Sequence, residues 1–484
     1  MAARDHFFTF ATPPYKPNLL HDIFTLQWIT LHSALVVLGL GIYITASHTL
    51  KQRRHPSAAI AWTISLVLVP HIALPLYLMF GRRKLASARR APKPLAAASA
   101  QPATAQEYLA TAMGLGEAAT FESLAIHHNG SEALQSLHKL IAGAHHTLEI
   151  CTFILGRDVL GDSITTQLLQ RAHQGLKIRL LLDGIGIYLG GHPNLQRLRV
   201  AGIQVVLFVP PFRSPLRGRT NLRNHRKMAV ADGTWLWCGG RNLAAEYFEG
   251  DTLSVLKKPV WIDLSFDLHG ALAQHAQQRF QQDWTFATTG KAASALPWVA
   301  PAAATSAPRA RLVPSGPDQA DDTFYTLLVS GCFTAQTRIL AVTPYFVPDQ
   351  TLLMALTLAA RRGVAVDLLL PHQSNHRLAD IARHAPLREL VTAGANIWLL
   401  PSMVHAKAVL IDQDLALVGS ANLDERSLFL NYELMVAFYD PPVVQQFSDW
   451  ITQLQRHAQP YQPKPLSLRR DLVEGLVRWV AFQL

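Results

Sequence analysis

The chain has 484 residues, 49% of them apolar and only 16% charged, against roughly 25% charged in average soluble proteins. With a mean hydropathy of +0.14, this composition argues against a disordered chain and against a wholly water-soluble one. Lys and Arg exceed Asp and Glu by 44 to 33, and the net charge of +11 points to an anionic partner, acidic lipid or nucleic acid.

In chain order, the first feature is a pair of apolar runs, Trp28 to Ala46 and Ala58 to Phe80, without a charged residue in either. At 1.5 Å per residue each reaches roughly the 30 Å of a bilayer's hydrocarbon core. Trp28, Tyr43, Trp62 and Tyr77 lie near the run ends, where amphipathic rings favour the membrane interface. The first run is too long for a signal peptide and a second follows it. Residues 1–84 are therefore expected to form an N-terminal tail and a two-helix transmembrane hairpin, about 28–46 and 58–80. Positive charge is densest after the second run (Arg82, Arg83, Lys84, Arg89, Arg90, Lys93), with Arg4 and Lys16 in the tail. The connecting loop has only Lys51, Arg53 and Arg54, so the positive-inside rule puts both ends in the cytoplasm.

Residues 85–106, rich in Ala, Ser, Pro and Gln, read as a flexible linker. Beyond them apolar runs alternate with helical periods, the pattern of an α/β region, and the order of elements occurs twice. Leu148–Ile154, Leu176–Asp183 and Ala201–Phe208 in one half answer to Ile339–Phe346, Val364–Pro371 and Ala393–Leu400 in the other. The expected boundaries are 107–290 for lobe 1, 291–309 for a second linker, and 310–484 for lobe 2 with a C-terminal helix.

Each half ends in the same constellation: His225, Lys227, Asp232, Gly239 and Asn242 in the first, His405, Lys407, Asp412, Gly419 and Asn422 in the second, at identical spacings. Positions i and i+2 of a strand share a face, so each His and Lys project together. Lysine is a compact cation for phosphate oxygens, and Asn adds neutral donors. Carboxylates commonly fix a histidine's tautomer. Two facing sets would let one His attack phosphorus while the other protonates the leaving oxygen, without a metal or other cofactor.

HxKxxxxD twice, each followed by a G-[GS]-x-N turn, resembles the phospholipase D superfamily, and within it the bacterial cardiolipin synthases. Thr343-Pro-Tyr-Phe-Val-Pro-Asp349, Trp261-Ile-Asp263, Gly419-Ser-Ala-Asn-Leu-Asp-Glu-Arg-Ser427 and Leu430-Asn-Tyr-Glu433 share that resemblance. It implies an α/β fold of two tandem phospholipase D-like lobes, each a mixed sheet between helices, sharing one active site. It also implies a membrane-embedded enzyme of the bacterial inner membrane, multi-pass, with its catalytic region cytoplasmic. The substrate would be the anionic phospholipid phosphatidylglycerol, with no nucleic acid partner, and cardiolipin would form by ping-pong transfer through a phosphatidyl-histidine. His225 would be the nucleophile and His405 the acid and base. Lys227, Lys407, Asn242, Asn422 and Ser420 would hold phosphate, while Asp232 and Asp412 support the site. The first turn departs from the pattern, reading Gly239-Gly-Arg-Asn242, which leaves the lipid pair open.

Some features have two readings. A hydrolase or a transphosphatidylase with other lipids uses the same motifs; a nuclease fits the charge but not two membrane runs, and a scaffold does not need two complete motifs. The extra arginines Arg213, Arg217, Arg219 and Arg223 make either a solvated loop or a lip for anionic headgroups. Leu466 to Leu484 either lies on the membrane or packs on lobe 2. His127–His128, His145–His146 and His372 with His376 lack the carboxylate or Cys pattern of a metal site.

Overall fold

The computed structural model describes residues 19–49, 56–81, 84–85, 104–210, 220–248, 260–291, 307–463, 474–475 and 477. Both linkers lie largely outside these residues, as do Arg213, Arg217, Arg219 and most of the C-terminal helix. The chain divides into two compact units, Met1–Gly81 and Arg82–Leu484.

The first unit holds helices Leu19–Thr49, Pro56–Leu68 and Pro70–Phe80. Among the described residues one stretch, Gln27–Ser47, is long and apolar enough to cross a membrane. The second run is not the single helix expected. It breaks at Val69 (φ −137°, ψ 56°), because Pro70 brings no N–H and disfavours helical backbone in the residue before it. The pieces pack on one another and on the first helix through Leu66, Ala73 and Leu74, with Tyr77 set edge-on against Tyr43 and Trp62.

The second unit is built on strands β1 (Ala119–His127), β2 (Thr147–Thr152), β3 (Lys177–Asp183), β4 (Gln204–Phe208), β5 (Met228–Ala231), β6 (Trp235–Gly239) and β7 (Ser265–Gly270) in the first half. The second half supplies β8 (Arg309–Ser315), β9 (Arg338–Val342), β10 (Phe346–Val347), β11 (Ala365–Pro371), β12 (Asn396–Leu400), β13 (Ala408–Ile411), β14 (Leu415–Gly419), β15 (Leu423–Asp424), β16 (Glu433–Phe438) and β17 (Gln459–Pro460). β10 and β15 pair separately; the other fifteen make one mixed sheet rather than one sheet per lobe. Its order, β17-β12-β11-β9-β13-β14-β16-β8-β1-β7-β6-β5-β2-β3-β4, gives the same succession from either edge, apart from β17. The halves join where β1 pairs antiparallel with β8, Ala119 opposite Ala310.

Helices cover both faces, as buried parallel strands require. On one face Ala271–Thr289 and Pro441–Gln455 enclose a core common to both halves, with Phe121, Phe266, Phe438 and Phe447 in contact. On the other face each half has its own core: Gly130–Gly143 and Val159–His173 cover lobe 1, Thr323–Thr334 and Gln350–Arg361 cover lobe 2. The β2–β5 and β9–β13 pairs are antiparallel, so the start of β5 meets the end of β2, and the start of β13 the end of β9. Both HxK segments therefore lie at the C-terminal end of the parallel strands.

Candidate active site

His225 and Lys227 lie just before β5, and His405 and Lys407 just before β13, in extended segments rather than within the strands. The alternation that puts His and Lys on one face holds there too. Each segment is pinned by the other lobe. The His225 amide donates to Tyr432 C=O (2.9 Å) and the Tyr432 amide to Arg223 C=O (2.9 Å). Reciprocally, the His405 amide donates to Ile262 C=O (2.6 Å) and the Ile262 amide to Met403 C=O (2.9 Å). The residue after each acceptor is a carboxylate, so each lobe supplies the carboxylate for the other's histidine. Glu433 stands 3.0 and 3.1 Å from His225 Nδ1, and Asp263 Oδ2 2.7 Å from His405 Nδ1.

Burial pushes the His225 pKa down to about 4, against the pull of Glu433. Burial and the adjacent Lys407 push His405 down to about 3. Burial opposes ionisation of both carboxylates, but the cations and histidines around them hold Glu433 and Asp263 below their usual range. A neutral ring facing an ionised carboxylate keeps its proton on Nδ1, which leaves the Nε2 lone pair for chemistry. Both lysines are depressed chiefly by burial, Lys227 to about 7 and Lys407 to about 8. Their ammonium groups fold onto their own histidine carbonyls, and Lys407 Nζ also lies 2.9 Å from His405 Nε2. Aromatic rings wall the site: Phe153 against His225 (5.1 Å), Tyr247 and Trp261 against His405 (4.9 and 5.7 Å).

The two halves are not equal in detail. Ser420 donates to Glu433 (2.5 Å), as does Asn431 Nδ2 (3.2 Å). The position equivalent to Ser420 is Gly240, where a Cβ would lie 2.2 Å from Asp263 Oδ1. Arg226 stands where lobe 2 has Ala406, wholly buried. It bonds Asp283 and Asp318, and its Nε donates to the Glu433 carbonyl (3.0 Å).

Four of the six motif residues thus meet in one place: His225, Lys227, His405 and Lys407. Asp232 and Asp412 do not join them. Each sits past the far end of its strand with positive φ (53° and 51°) and accepts backbone N–H bonds, Asp232 from His145, His146 and Thr147, Asp412 from Gln336, Thr337 and Arg338. A carboxylate is used there because three converging amides need an anion, and the support expected of it comes instead from Glu433 and Asp263. Ser420, expected on phosphate, commits its proton to Glu433. Asn242 Oδ1 accepts from the Ile154 amide (3.3 Å), and Asn422 bonds Asp424, with its Oδ1 buried and unpartnered. Arg223 is buried against Asp183 (3.2 Å) rather than solvated. Glu474 of the C-terminal segment pairs with Arg388, which packs that part on lobe 2. Among the described residues no group of three His, Cys, Asp or Glu side chains is placed to hold a metal.

Comparison with known proteins adds the lineage. The family model described as "Cardiolipin synthase, PLD-like domain" matches residues 137–284 and 333–455, and one described as "Phospholipase_D-nuclease N-terminal" matches 36–82. Cardiolipin synthase A of Pseudomonas aeruginosa is 33% identical over 437 residues, covering 85% of this chain and 87% of that protein. Cardiolipin synthase 1 of Bacillus cereus is 30% identical over 422 residues, covering 81% and 82%. The crystal structure of a phosphatidylserine synthase from Haemophilus influenzae superimposes with a TM-score of 0.59 at 14% identity, over 77% of this chain and 98% of that one, a likeness of fold.

Proposed function

Since the chain belongs to the cardiolipin synthase family of the phospholipase D superfamily, we propose that its exchanged His–carboxylate pairs carry out phosphatidyl transfer between two phosphatidylglycerol molecules. The enzyme is a cardiolipin synthase, and the products are cardiolipin and glycerol. The observation that carries this reading is that two histidines, two lysines and two buried carboxylates converge from both lobes on one site.

The donor's phosphate lies between Lys227 and Lys407. Its negative charge favours the protonated form of His405, whose pKa burial and Lys407 otherwise hold down to about 3. His225 Nε2 attacks phosphorus, the P–O bond to glycerol breaks, and His405 gives its proton to the departing oxygen. Glu433 holds the positive charge that develops on the His225 ring. In the second half, the hydroxyl of another phosphatidylglycerol loses its proton to His405 and attacks phosphorus. The N–P bond breaks and cardiolipin leaves. His225 suits the nucleophile's part because it is the more open ring, 13% exposed against 5% for His405.

The apolar helix anchors the chain in a membrane. We further read the broken run 58–80 as a second crossing, which Pro is allowed in lipid, with both ends cytoplasmic in a bacterial inner membrane. The test is incubation of the reconstituted protein with phosphatidylglycerol alone, followed by lipid mass spectrometry. Cardiolipin plus glycerol is expected; phosphatidic acid instead would make it a hydrolase.

A further inference from the structure

A lipid phosphate reaches the site only if the site meets the bilayer surface, and two exposed corners lie at the end of the sheet that carries the site. In lobe 1, β3 ends in the short helix Gly186–Leu189, with Tyr188 and Leu189 exposed by 50% and 64%. In lobe 2 the equivalent strand β11 leads to the helix Arg377–Ala382, with Leu378 exposed by 46%. β3 is parallel to β2, and β11 to β9, so both corners lie at the sheet end that carries the HxK segments.

The corners are fixed to the site walls. A Cβ at Gly186 would lie 1.6 Å from the Phe153 carbonyl, so this turn sits directly on the residue whose ring contacts His225. The Arg157 amide binds Gly190 C=O (2.7 Å), and Tyr188 stacks edge-on with His192. In lobe 2, Tyr345 donates to Asn375 (2.6 Å) and faces His376, while Val347 packs on Ala379 and Ala382 of the helix that carries Leu378.

Charge selects the partner. At the lobe 1 corner stand His192 and Arg157, and residues 184–194 hold no carboxylate; at the lobe 2 corner stand His372, His376 and Arg377, with Asp380 of the same helix paired to Arg383 (3.2 Å). Arg157 and Arg377 are exposed. Single exposed apolar residues are ordinary on protein surfaces. Here they occur at equivalent corners of both lobes, each beside an exposed arginine and histidine, and that combination fits an interface of apolar chains beneath anionic headgroups.

We infer that the Tyr188–Leu189 and Leu378 corners form a two-point docking face for an anionic lipid bilayer, holding the active site at headgroup level. The inference rests on the proposed lipid transfer, but its test does not. The three native cysteines are buried, so full-length protein in nanodiscs can carry one introduced, fluorescently labelled cysteine at position 189, 378 or 200. Val200 is 78% exposed but precedes β4, at the opposite end of the sheet, and serves as control. Lipids brominated on their acyl chains should quench labels at 189 and 378 in phosphatidylglycerol-containing discs and leave 200 unquenched. Equal quenching at all three positions, or none at 189 and 378, overturns the inference even if the enzyme is active.

The kinetic counterpart is the double variant Leu189→Asp/Leu378→Asp. Its KM for vesicle phosphatidylglycerol should rise about tenfold, the loss of two buried aliphatic anchors. Turnover of monomeric short-chain phosphatidylglycerol should stay unchanged. If lipid-free detergent already shields both labels and the double variant splits a dimer, the face belongs to a second copy and the inference falls.

Discussion

Glu433 is the residue on which the chemistry most depends, because it holds His225 through both oxygens and is itself held by Ser420 and Asn431. Glu433→Gln keeps the shape and removes the charge. By analogy with neutralised carboxylate partners of catalytic histidines, kcat should fall about 10⁴-fold with little change in the thermal midpoint. Asp232→Asn should do the reverse. Its carboxylate is held below its ordinary pKa by three backbone amides, against a partial burial that raises it. A depressed pKa contributes stability that is present above the unfolded value and lost as pH falls through the folded one. The variant should therefore lose stability near neutral pH and show a weaker acid dependence of unfolding, with kcat of the folded enzyme preserved.

These two residues also mark what the sequence reveals at this scale. His and Lys were legible because strand alternation makes their spacing a statement about one face. The motif aspartates were equally visible but have another task. Glu433 and Asp263 lie in segments that share the family resemblance, but their spacing assigns them no role, since they differ in type, lie at different offsets from the two histidines, and act across the lobe boundary. Gly240 shows the consequence. Gly240→Ser should displace Asp263 from His405 and lower kcat, whereas adding Asp263→Glu should restore part of it by copying the Ser420–Glu433 arrangement. Steady-state rates of the two variants decide this, and no recovery in the double variant would sink the explanation.

At the scale of elements, the segment before β5 is fixed from behind by Arg226. Its guanidinium is enclosed by Asp283 of the helix Ala271–Thr289 and by Asp318 of lobe 2, and lies 5.1 Å from the Tyr432 ring. Arg279 shares both carboxylates. Removing one member of a buried ionic group leaves the others uncompensated, a cost of about 3–5 kcal/mol. Arg226→Met should lower stability by that order in chemical denaturation, and lower kcat as well, because the Glu433 carbonyl loses its anchor. An unfolding curve like that of the parent would mean the group adds no net stability. The elements themselves were readable where apolar runs are long. β3, β4, β11 and β12 fall within the stretches expected, and β2 and β9 begin one residue before theirs. β10, β15 and β17, two residues each, exist only through their tertiary partners. The continuous second helix was misjudged because hydropathy does not register the backbone restriction that Pro70 places on Val69.

For the whole molecule, the exchange of carboxylates makes the site a property of both lobes together, and its titration belongs to the ensemble of groups rather than to any one. The order of their pKa values gives the activity profile a sign. Both histidines are neutral in the free enzyme down to about pH 4, and His405 must gain a proton before it can give one, so kcat/KM should rise as pH falls from 7 toward 5. The lysines set the other limb. They bind phosphate only while protonated, and burial has brought them down to about 7 and about 8, so kcat/KM should decline as pH rises through that range. Each lysine is further depressed by a cation of the opposite lobe, Lys227 by Lys407. Lys407→Met should therefore cut the rate and also move the remaining alkaline limb upward, since Lys227 then keeps its proton to higher pH. The measurement is kcat/KM against pH with monomeric short-chain phosphatidylglycerol, free of vesicle surface effects. A limb that stays in place after Lys407 is removed would show that the two lysines do not sense each other, and that the lobes do not share one electrostatic site.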